Sequence, residues 1–517
     1  MPPRPVPPPV LLDGSGLTAD EVVWVARRGR AVSLTPGALR RMGDSRAVVD
    51  GLAEGSEPVY GVSTGFGALA TTRIERGRWE ELQHSLVRSH AAGMGDPVAA
   101  EVVRATMLLR ARTLAMGLSG TRPGLAGALV DLLNAGVCPV VPEHGSLGAS
   151  GDLAPLAHIA LVLLGEGEAV TPDGRRIPAA GALAEAGLTP VRLAAKEGLS
   201  LINGTDGMLG MLVLACEDLD LLWRTADVAA AMSVEALLGT DTPFAEDVQR
   251  LRPHPGQLAS AANLHRLLAG SSIVASHREG DTRVQDAYSM RCAPQVCGAA
   301  RDVLTFARRT AAIELDSAID NPSVLADGRV VSNGNFHGEP LAFACDFLAI
   351  AAAEVGSIAE RRVDRLLDVT RSIGLPAFLA AEPGVHSGLM IAQYTAAALV
   401  TENRRLAVPA SVDSIPTSGM QEDHVSMGWS AACKLRRSVD NLRRILAVEV
   451  LCASRALQLR APLVPAPATG AVVDRVRTRV PGPGPDRPPA PELAAVAELI
   501  ATGEVVEAAE SAIGPLA

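Results

Sequence analysis

The sequence predicts a mainly α-helical protein, in which a bundle of long helices follows a mixed N-terminal domain. After residue 205, apolar residues recur every three or four positions over long stretches, which is the spacing of amphipathic helices. The stretch 426–459 carries one such stripe, and at ~1.5 Å per residue it would form a helix roughly 50 Å long. Before residue 205, glycine-rich loops interrupt shorter helical patterns. Several long helices of this kind pack as a bundle.

The chain divides into four predicted segments. Residues 1–20 form a loose Pro-rich arm, 21–205 the mixed domain, 206–480 the long-helix bundle, and 481–517 a Pro/Gly linker followed by terminal helices. The helical patterns run over about 79–92, 99–117, 123–135 and 156–164 in the mixed domain, about 206–238, 257–275, 296–316, 341–371, 387–406 and 426–459 in the bundle, and about 491–511 at the end.

Composition excludes several classes of protein. Hydrophobic residues make up 48% of the 517, which suffices for a large core. Lys and Arg number 47 against 57 Asp and Glu, and this net charge of −10 disfavours a nucleic acid partner or a polybasic membrane contact. No run of about 18 apolar residues predicts a membrane span, and no secretory signal is expected at the N-terminus. Seven scattered cysteines without a CxxC pair predict reduced thiols in a cytoplasmic protein.

Motifs for metals and nucleotides are not found. The ten histidines show neither HExxH nor HxxEH spacing, and no Cys/His cluster has zinc spacing. The glycine-rich loops lack GxxxxGK and the strand–GxGxxG–helix context of a dinucleotide site. We therefore expect neither a metal nor an external cofactor.

The tripeptide Ala149-Ser150-Gly151 offers a different chemistry. Attack of the Gly151 amide nitrogen on the Ala149 carbonyl would close a five-membered ring, and loss of water from the ring and from Ser150 would leave an exocyclic methylene. Small residues are needed because the backbone must fold back tightly on itself, and glycine tolerates the required dihedral angles. The product is an electron sink that no ordinary side chain supplies. A glycine-rich turn before a helix, with Asp152 as its N-cap, is the simpler alternative.

Seven motifs resemble those of the aromatic amino acid lyases that carry a methylidene-imidazolone (MIO) group. The resemblance covers about residues 20–511. It implies a long-helix fold shared with the fumarase and aspartase lyases, an MIO group formed from Ala149, Ser150 and Gly151, and a homotetramer whose active sites combine residues of three subunits. The motifs are Ala149–Asp152 (ASGD), Tyr60–Gly67 (YGVSTGFG), Ser89–Gly93 (SHAAG), Leu201–Thr205 (LINGT), Gln285–Arg291 (QDAYSMR), Ser332–Gly338 (SNGNFHG) and Gln421–Met427 (QEDHVSM).

The resemblance also implies roles for side chains in these motifs. Tyr60 is the base that takes the β-proton, and Asn203 helps to form the imidazolone and polarises its oxygen. Arg291 binds the substrate carboxylate, for which its planar fork is suited. The remaining predicted site residues surround the electrophile and the amino, carboxylate and ring groups of the substrate; they are Gln285, Tyr288 and Phe336. Each of these side chains has an ordinary alternative as a packed aromatic, a buried polar group or a surface cation.

Substrate selectivity is predicted from two further residues. In the family, recognition of the substrate side chain centres on the dipeptide that here reads Ser89-His90, and Ser-His with a downstream Gln-Glu-Asp-His is similar to the histidine-selective pattern. Glu422 accepts a hydrogen bond from an imidazole N–H, and His90 pairs with the other ring nitrogen. Tyrosine- and phenylalanine-selective members tend to have His-Leu or Phe-Leu instead. A helix-end histidine and a solvated acidic turn are the alternatives for these two residues.

These resemblances predict that the chain converts L-histidine to trans-urocanate and ammonia, the reaction that begins histidine degradation. Attack on the methylene by the amine or by the imidazole ring is left open. The alternatives are a tyrosine or phenylalanine ammonia-lyase, a 2,3-aminomutase that adds the ammonia back, or a silent helical scaffold. Two departures from the family pattern stand out: Ser63 replaces an Asn common in relatives, and Asp206-Gly207 stands where many members have Gln-Ala.

Overall fold

The structure is a computed structural model that describes residues 7–54, 61, 63–65, 67–69, 71–148 and 150–517. The chain forms two compact units of discontinuous segments. Unit 1 comprises Met1–Leu214, Arg308–Cys345 and Pro409–Cys433, and unit 2 comprises Ala215–Ala307, Asp346–Val408 and Lys434–Ala517. This partition differs from the consecutive segments drawn from the sequence, which stay a prediction.

Helices dominate the described residues. The α-helices are α1 (Ala19–Arg28), α2 (Pro36–Glu54), α3 (Trp79–His90), α4 (Ala100–Ala115), α5 (Pro123–Asn134), α6 (Leu153–Leu163), α7 (Ala179–Glu185), α8 (Glu197–Ile202), α9 (Asp206–Ala236), α10 (Glu246–Gln249), α11 (Pro255–Leu267), α12 (Ser272–Ala275), α13 (Tyr288–Arg291), α14 (Ala293–Leu315), α15 (Glu339–Leu367), α16 (Met390–Leu406), α17 (Gly428–Leu459), α18 (Pro467–Arg477), α19 (Pro489–Ala501) and α20 (Glu504–Ile513). Short 3₁₀ helices cover Gly67–Leu69, Arg76–Arg78, Thr242–Phe244, Ala377–Leu379 and Ser418–Met420.

Short strands lie in unit 1. They are β1 (Val10–Leu12), β2 (Val32–Leu34), β3 (Met94–Pro97), β4 (Cys138–Pro139), β5 (Pro142–His144), β6 (Glu168–Val170), β7 (Arg176–Pro178), β8 (Ser323–Val324) and β9 (Val330–Val331). β1 and β2 pair in parallel, with Val10 opposite Val32. The antiparallel pairings are β3 with β5, β4 with β6, β6 with β7, and β8 with β9.

No helix is predicted from the sequence before residue 79, but α1 and α2 lie there. The capping box of α1 pairs the Thr18 side chain with the Glu21 amide, and the Glu21 side chain with the Thr18 amide. Gly29 then ends the helix in the left-handed conformation. These local capping signals are present in the sequence.

The long helix α17 confirms the predicted apolar stripe. The buried members are Leu435, Val439, Leu442, Leu446, Val450, Ala453 and Leu457, each at most 2% exposed. Arg437 and Arg444 lie on the exposed side. Burial of one face accounts for a helix of 32 residues.

Helix α15 is long and apolar enough to span a membrane by length and composition, but 72% of its most apolar window is buried inside the protein, as expected of a core helix. Cys138, Cys297 and Cys452 are free and buried, and the reduced, cytoplasmic state of the thiols stays a prediction.

Three helix ends in unit 1 converge where the sequence predicts the site. Helices α3, α6 and α8 pack against one another. Helix α3 ends at His90, α6 begins just after Asp152, and α8 ends just before Asn203. The packing of three helices therefore brings together residues that lie more than 100 positions apart in the chain.

Candidate active site

The loop that contains Ser150 doubles back on itself. Ser150 has φ +50°, and Gly148 and Gly151 have φ +70° and +78°. Gly148 bridges to Gly151, and Gly151 bridges to Gly204. A Cβ atom on Gly151 would lie 2.1 Å from the Gly204 carbonyl oxygen. Only glycine fits at that position, for reasons of both space and backbone conformation.

Asp152 holds this loop against the beginning of α9. Its Oδ2 accepts hydrogen bonds from the amides of Gly207 (2.9 Å) and Met208 (3.0 Å), and its own amide donates to the Gly204 carbonyl at 2.7 Å. The side chain thus satisfies amides in the first turn of α9, although the residue itself stands at the N-cap position of α6, whose amides it does not cap. Burial raises the pKa of Asp152 to about 7, against the lowering effect of these amides.

A second segment supports the loop from residues 426–427. The Met427 amide donates to the Leu147 carbonyl at 2.8 Å, and the Ser426 hydroxyl donates to the Gly148 carbonyl at 3.3 Å. A Cβ on Gly148 would meet the Ser426 hydroxyl oxygen at 2.1 Å. Backbone contacts therefore fix the loop on both sides of Ser150.

The departure at Asp206-Gly207 has a structural explanation. Asp206 forms a buried ion pair with Arg110 at 2.7 Å, and Gly207 leaves room for the Trp429 ring, which a Cβ would approach to 2.4 Å. Trp429 in turn donates its indole N–H to the Glu143 carbonyl at 2.6 Å. The dipeptide thus adapts the first turn of α9 to its neighbours.

Four predicted site residues line one small cavity of about 230 Å³ in unit 1. They are His90, Ser150, Asn203 and Glu422. A larger open cavity of about 870 Å³ is lined by Ser150, Glu422 and Phe336, together with Asn321 and Asn333. Ser150 and Glu422 border both cavities, so one continuous region contains the electrophile loop and the residues predicted to read the substrate ring.

Asn203 is 2% exposed and is held from two directions. Its side-chain Nδ2 donates to the Asn321 carbonyl at 2.8 Å, and its own carbonyl accepts from the Arg110 guanidinium at 3.0 Å. Its Oδ1 atom is buried and has no hydrogen-bond partner among the described residues. A buried amide oxygen without a partner is uncommon away from functional sites.

His90 and Glu422 are held by contacts of different kinds. His90 Nδ1 lies 2.9 Å from the Leu86 carbonyl oxygen. Burial lowers the pKa of His90 below its ordinary 6.5, partly offset by the Leu86 carbonyl and by Glu422. Glu422 is half-buried, and its Oε2 accepts the hydroxyl of Thr417 at 2.9 Å. Thr417 thus partners one of the two carboxylate oxygens of Glu422.

Three other predicted residues lie in unit 2. Gln285, Tyr288 and Arg291 line a depression of about 460 Å³. The Arg291 guanidinium lies over the Tyr288 ring, 4.7 Å from its centroid, and its Nε donates to the Asp286 carbonyl at 2.8 Å. Tyr288 is 72% exposed. The guanidinium of Arg291 therefore lies against the solvent-exposed ring of Tyr288.

Two predicted residues, Tyr60 and Ala149, lie outside the described residues. In contrast, sequence reasoning assigned no role to Asn321, Asn333 or Thr417, which border or support the cavities. Asn321 precedes a proline, and Asn333 lies inside a quoted motif, but nothing in the sequence connects them to Asn203 or to each other. Their role depends on contacts between distant segments.

His337, Glu339 and His424 also cluster at the larger cavity. Their ligand atoms lie within 4.8 Å of one another, and His424 Nδ1 lies 3.3 Å from His337 Nε2. Histidine and carboxylate are ligands that zinc accepts, and the 87-residue separation of the histidines hides the group from spacing rules. One ring donating to the other accounts for the 3.3 Å separation without an ion.

Comparisons with known proteins identify the family of the chain. The model of the family "Aromatic amino acid lyase" matches residues 17–478. The chain therefore belongs to the aromatic amino acid lyase family.

Full-length relatives show the same match. The chain is 60% identical over 509 residues to the histidine ammonia-lyase of Streptomyces avermitilis, covering 98% of this chain and 99% of that protein. It is 52% identical over 508 residues to that of Gloeobacter violaceus, covering 98% of each.

Solved structures confirm the predicted mainly helical lyase fold. The tyrosine aminomutase from Streptomyces globisporus superposes with a TM-score of 0.93 at 40% identity, covering 99% of this chain and 100% of that one. The histidine ammonia-lyase from Trypanosoma cruzi gives a TM-score of 0.90 at 41% identity, covering 98% and 96%. The family and the fold are thus defined over nearly the whole chain.

Proposed function

We propose that the chain is an ammonia-lyase that converts L-histidine to trans-urocanate and ammonia, the first step of histidine degradation. The observation that carries this proposal is the small cavity in which His90 and Glu422 face the same space as Ser150. The relatives at 52–60% identity, all histidine ammonia-lyases by name, support the same substrate.

The tautomer of His90 follows from its contact with Leu86. His90 Nδ1 lies 2.9 Å from the Leu86 carbonyl oxygen, which only accepts, and 3.1 Å from the Ser89 hydroxyl, which donates to the same carbonyl. His90 Nδ1 therefore carries the proton. Because burial lowers the pKa of His90, the ring is neutral near pH 7 and its Nε2 keeps a lone pair. His90 is thus an acceptor for an N–H of the substrate imidazole, rather than a cation that would repel its protonated form.

Glu422 supplies the second acceptor. Thr417 occupies its Oε2, and its Oε1 accepts no hydrogen bond from the described residues. An imidazole held between Nε2 of His90 and this carboxylate satisfies both acceptors when both of its nitrogens carry protons. A phenyl ring offers no donor and a phenol offers one, so either substrate leaves a desolvated acceptor unpaired.

The loop fits the MIO group that its family implies. The turn around Ser150 is doubled back and held by backbone contacts, and the Oδ1 atom of buried Asn203 is available to a neighbouring group. Ala149, Ser150 and Gly151 would hold the group, and it would supply an electrophilic methylene that assists departure of the amino group. No external cofactor or metal is required for this chemistry.

The chain's own side chains then position the substrate. The Arg291 fork binds the carboxylate, with Gln285 and Tyr288 beside it, while Asn203 donates to the imidazolone oxygen as an oxyanion-type partner. Tyr60 is the proposed base for the β-proton, and Phe336 packs against the ring. Holding the β C–H in line with the base reduces the entropic part of the barrier.

We further propose that the protein is a cytoplasmic homotetramer with active sites shared between subunits. Tyr288 is 72% exposed within one chain, which is unusual for a side chain predicted to face a substrate. Unit 2 also exposes large apolar side chains, among them Phe347 at 43%, Ile391 at 56% and Tyr394 at 63%. Such residues are typical of surfaces that another subunit covers.

An aminomutase is the second candidate, because the tyrosine aminomutase of Streptomyces globisporus has nearly the same fold. Both enzymes would begin from the same electrophile. They differ in product: a lyase releases urocanate, whereas a mutase returns the ammonia to give β-histidine.

The test measures urocanate by ultraviolet absorbance from L-histidine, with tyrosine and phenylalanine as alternative substrates and chromatography for β-histidine. The variant Glu422→Gln keeps the shape but loses the charge, and a charged hydrogen bond contributes ~1.5–3 kcal/mol. We expect a loss of roughly ten- to over a hundredfold in kcat/KM for histidine.

The exposed neighbour provides the matched control, since Asp423→Asn removes the same charge one residue away. Asp423→Asn should stay close to wild type. Urocanate absent from the wild-type reaction, or equal losses in both variants, would contradict the proposal.

A further inference from the structure

Lys196 is one of only two lysines in the chain, and it is fully buried at the N-cap of α8. Its ammonium donates to Asp320 Oδ2, to the Ser200 hydroxyl and to the Ser119 carbonyl, each at 2.9 Å. Three acceptors match its three N–H groups. The ion pair is therefore geometrically complete, even though burying two charges costs more than burying an apolar pair of similar volume.

Asp320 connects this ion pair to Asn203 through the backbone of Asn321. Its Oδ1 accepts the Asn321 amide at 2.8 Å, and the Asn321 carbonyl accepts Nδ2 of Asn203, also at 2.8 Å. Because a carbonyl only accepts, Asn203 must present its amide nitrogen to Asn321. This contact fixes which way the Asn203 amide is turned.

The orientation matters at the small cavity that Asn203 and Ser150 line. One N–H of Asn203 is used by Asn321, so the other N–H and Oδ1 remain for the group formed at Ser150. An amide rotated by 180° would place its oxygen against the Asn321 carbonyl and lose the hydrogen bond. The carbonyl of Asn321 thus selects the productive orientation of Asn203.

The same turn also supports residues that line the larger cavity. Asn333 donates its side-chain amide to the Asp320 carbonyl at 3.1 Å, and its backbone amide donates to Asn321 Oδ1 at 2.9 Å. Asn333 and Phe336 both line that cavity. Movement of the 320–321 turn would therefore disturb two walls at once.

We infer that the Lys196–Asp320 ion pair is a positioning element, which fixes the Asn321 carbonyl and thereby the Asn203 amide at the electrophile. The inference rests on the proposed MIO chemistry. It goes beyond it by assigning a role to two buried residues that touch neither substrate nor electrophile.

The neighbouring residue offers a matched control pair. Glu197 follows Lys196 on α8, is also fully buried, and binds Arg122 through Oε2 at 2.6 Å. Its carboxylate also accepts hydrogen bonds from the backbone amides of Arg122 and Ala194. Among the described residues it makes no hydrogen bond to residue 320 or 321. Removing this pair disturbs the same helix end without breaking the path to Asn203.

The experiment compares two double variants, Lys196→Met with Asp320→Ala and Arg122→Met with Glu197→Ala. Removing both partners avoids leaving one charge buried alone, which would strongly destabilise the fold. Thermal unfolding and the tetramer mass establish folding, and the mass of the loop peptide, lower by two waters when cyclised, gives the fraction of sites that carry the group.

The first measurement is independent of the substrate. Cyanide adds to the methylene, and the loss of the group's ultraviolet absorbance gives the rate per cyclised site. Because a misplaced Asn203 polarises the imidazolone less, we expect about a tenfold slower addition in the 196/320 variant and a near wild-type rate in the 122/197 variant. Equal rates in both variants and wild type would overturn the inference, as would a wild-type loop that is not cyclised.

The second measurement tests whether the pair acts through Asn203. We expect Asn203→Ala to lower kcat for histidine heavily in wild type. In the 196/320 background, the fold loss caused by Asn203→Ala should be at least about tenfold smaller, because contacts in one network are not additive. An equal loss in both backgrounds would overturn the inference. A wild-type protein that reacts with cyanide but forms no urocanate refutes histidine as the substrate, and the cyanide rates then still decide the positioning role.

Discussion

Around Ser150 the chain is held mainly by its backbone, whereas around Arg291 the predicted binding surface is made of open side chains. Gly151 approaches Gly204 so closely that no Cβ fits, and Asp152 fastens the loop to the amides of α9. Arg291 instead rests on the exposed ring of Tyr288. The proposed electrophile loop is thus built within unit 1. On the proposed carboxylate-binding side, Tyr288 is exposed within a single chain, as the proposed homotetramer would require.

This contrast has a chemical reason. The proposed ring closure within the backbone would require tight, predefined dihedral angles, and these would have to be reached before any substrate binds. A carboxylate is recognised by the planar charged fork of an arginine, which needs no such enclosure by the backbone. We expect substitutions in the loop to abolish activity, and substitutions in the depression to weaken it.

The largest effect is expected for Ser150→Ala, because in the proposed chemistry Ser150 alone supplies the methylene carbon. Turnover should fall by at least about a thousandfold, or ~4 kcal/mol at ~1.4 kcal/mol per decade. The loop peptide should keep its full mass instead of losing two waters, and the circular dichroism spectrum and oligomer mass should match wild type. Activity above a few per cent, in protein free of wild-type carry-over, would show that the loop is not the electrophile.

We also expect the stability of the protein to depend on pH through Asp152, which belongs to the same loop as Ser150. Its pKa is about 7 when folded, against ~3.9 for an unfolded Asp, so the folded protein binds the extra proton between these values. Stability from this group therefore falls as pH rises from about 4 to 7 and changes little above that.

Asp152→Asn removes the titration with little change of shape. Relative to wild type, its free energy of unfolding should improve between pH 5 and pH 8 by an amount on the order of a few kcal/mol. Thermal or urea unfolding at both pH values measures this difference. A constant difference across the range would show that Asp152 does not titrate there.

Arg291→Lys probes the open side of the comparison. A point charge replaces a planar fork, so the carboxylate should be held at the wrong angle, and we expect about a ten- to hundredfold loss shared between KM and kcat. Arg371→Lys is the control, because Arg371 lines the same depression but is paired with Asp364 and Asp368. Unchanged saturation behaviour in Arg291→Lys would show that Arg291 does not touch the substrate.

Features that depend on local spacing or on residue chemistry can be predicted from the sequence, whereas contacts between distant segments cannot. Helices with strong apolar periodicity, such as α17, follow from local spacing, and the ASGD loop follows from residue chemistry. The links from Lys196 through Asp320 and Asn321 to Asn203 span more than 100 residues and pass through backbone atoms. Because any residue type offers the same carbonyl and amide, no sequence pattern marks such links.

Asp152 shows the same limit at one position. Its place in the chain predicts the N-cap of the helix that follows, yet its carboxylate binds α9 instead. Thr417 is similar: it lies five residues before Glu422 in a segment without periodicity, and only the bridge between their backbones brings its hydroxyl to the carboxylate.

The smallest effect is expected for Thr417→Val, which removes one hydrogen bond to Glu422. Glu422 is half-buried and is oriented by one side-chain hydrogen bond of 2.9 Å from Thr417. Valine keeps the shape of threonine but cannot donate, so the carboxylate should sample more orientations. Loss of one hydrogen bond of ~0.5–1.5 kcal/mol corresponds to a two- to tenfold fall in kcat/KM for histidine.

If the hydroxyl acts by orienting the charge, Thr417→Val should have little further effect in the Glu422→Gln background, where that charge is already lost. The decisive measurement is this double-mutant cycle: full additivity would mean that Thr417 acts independently of Glu422, and that the carboxylate is positioned by the substrate rather than by the loop.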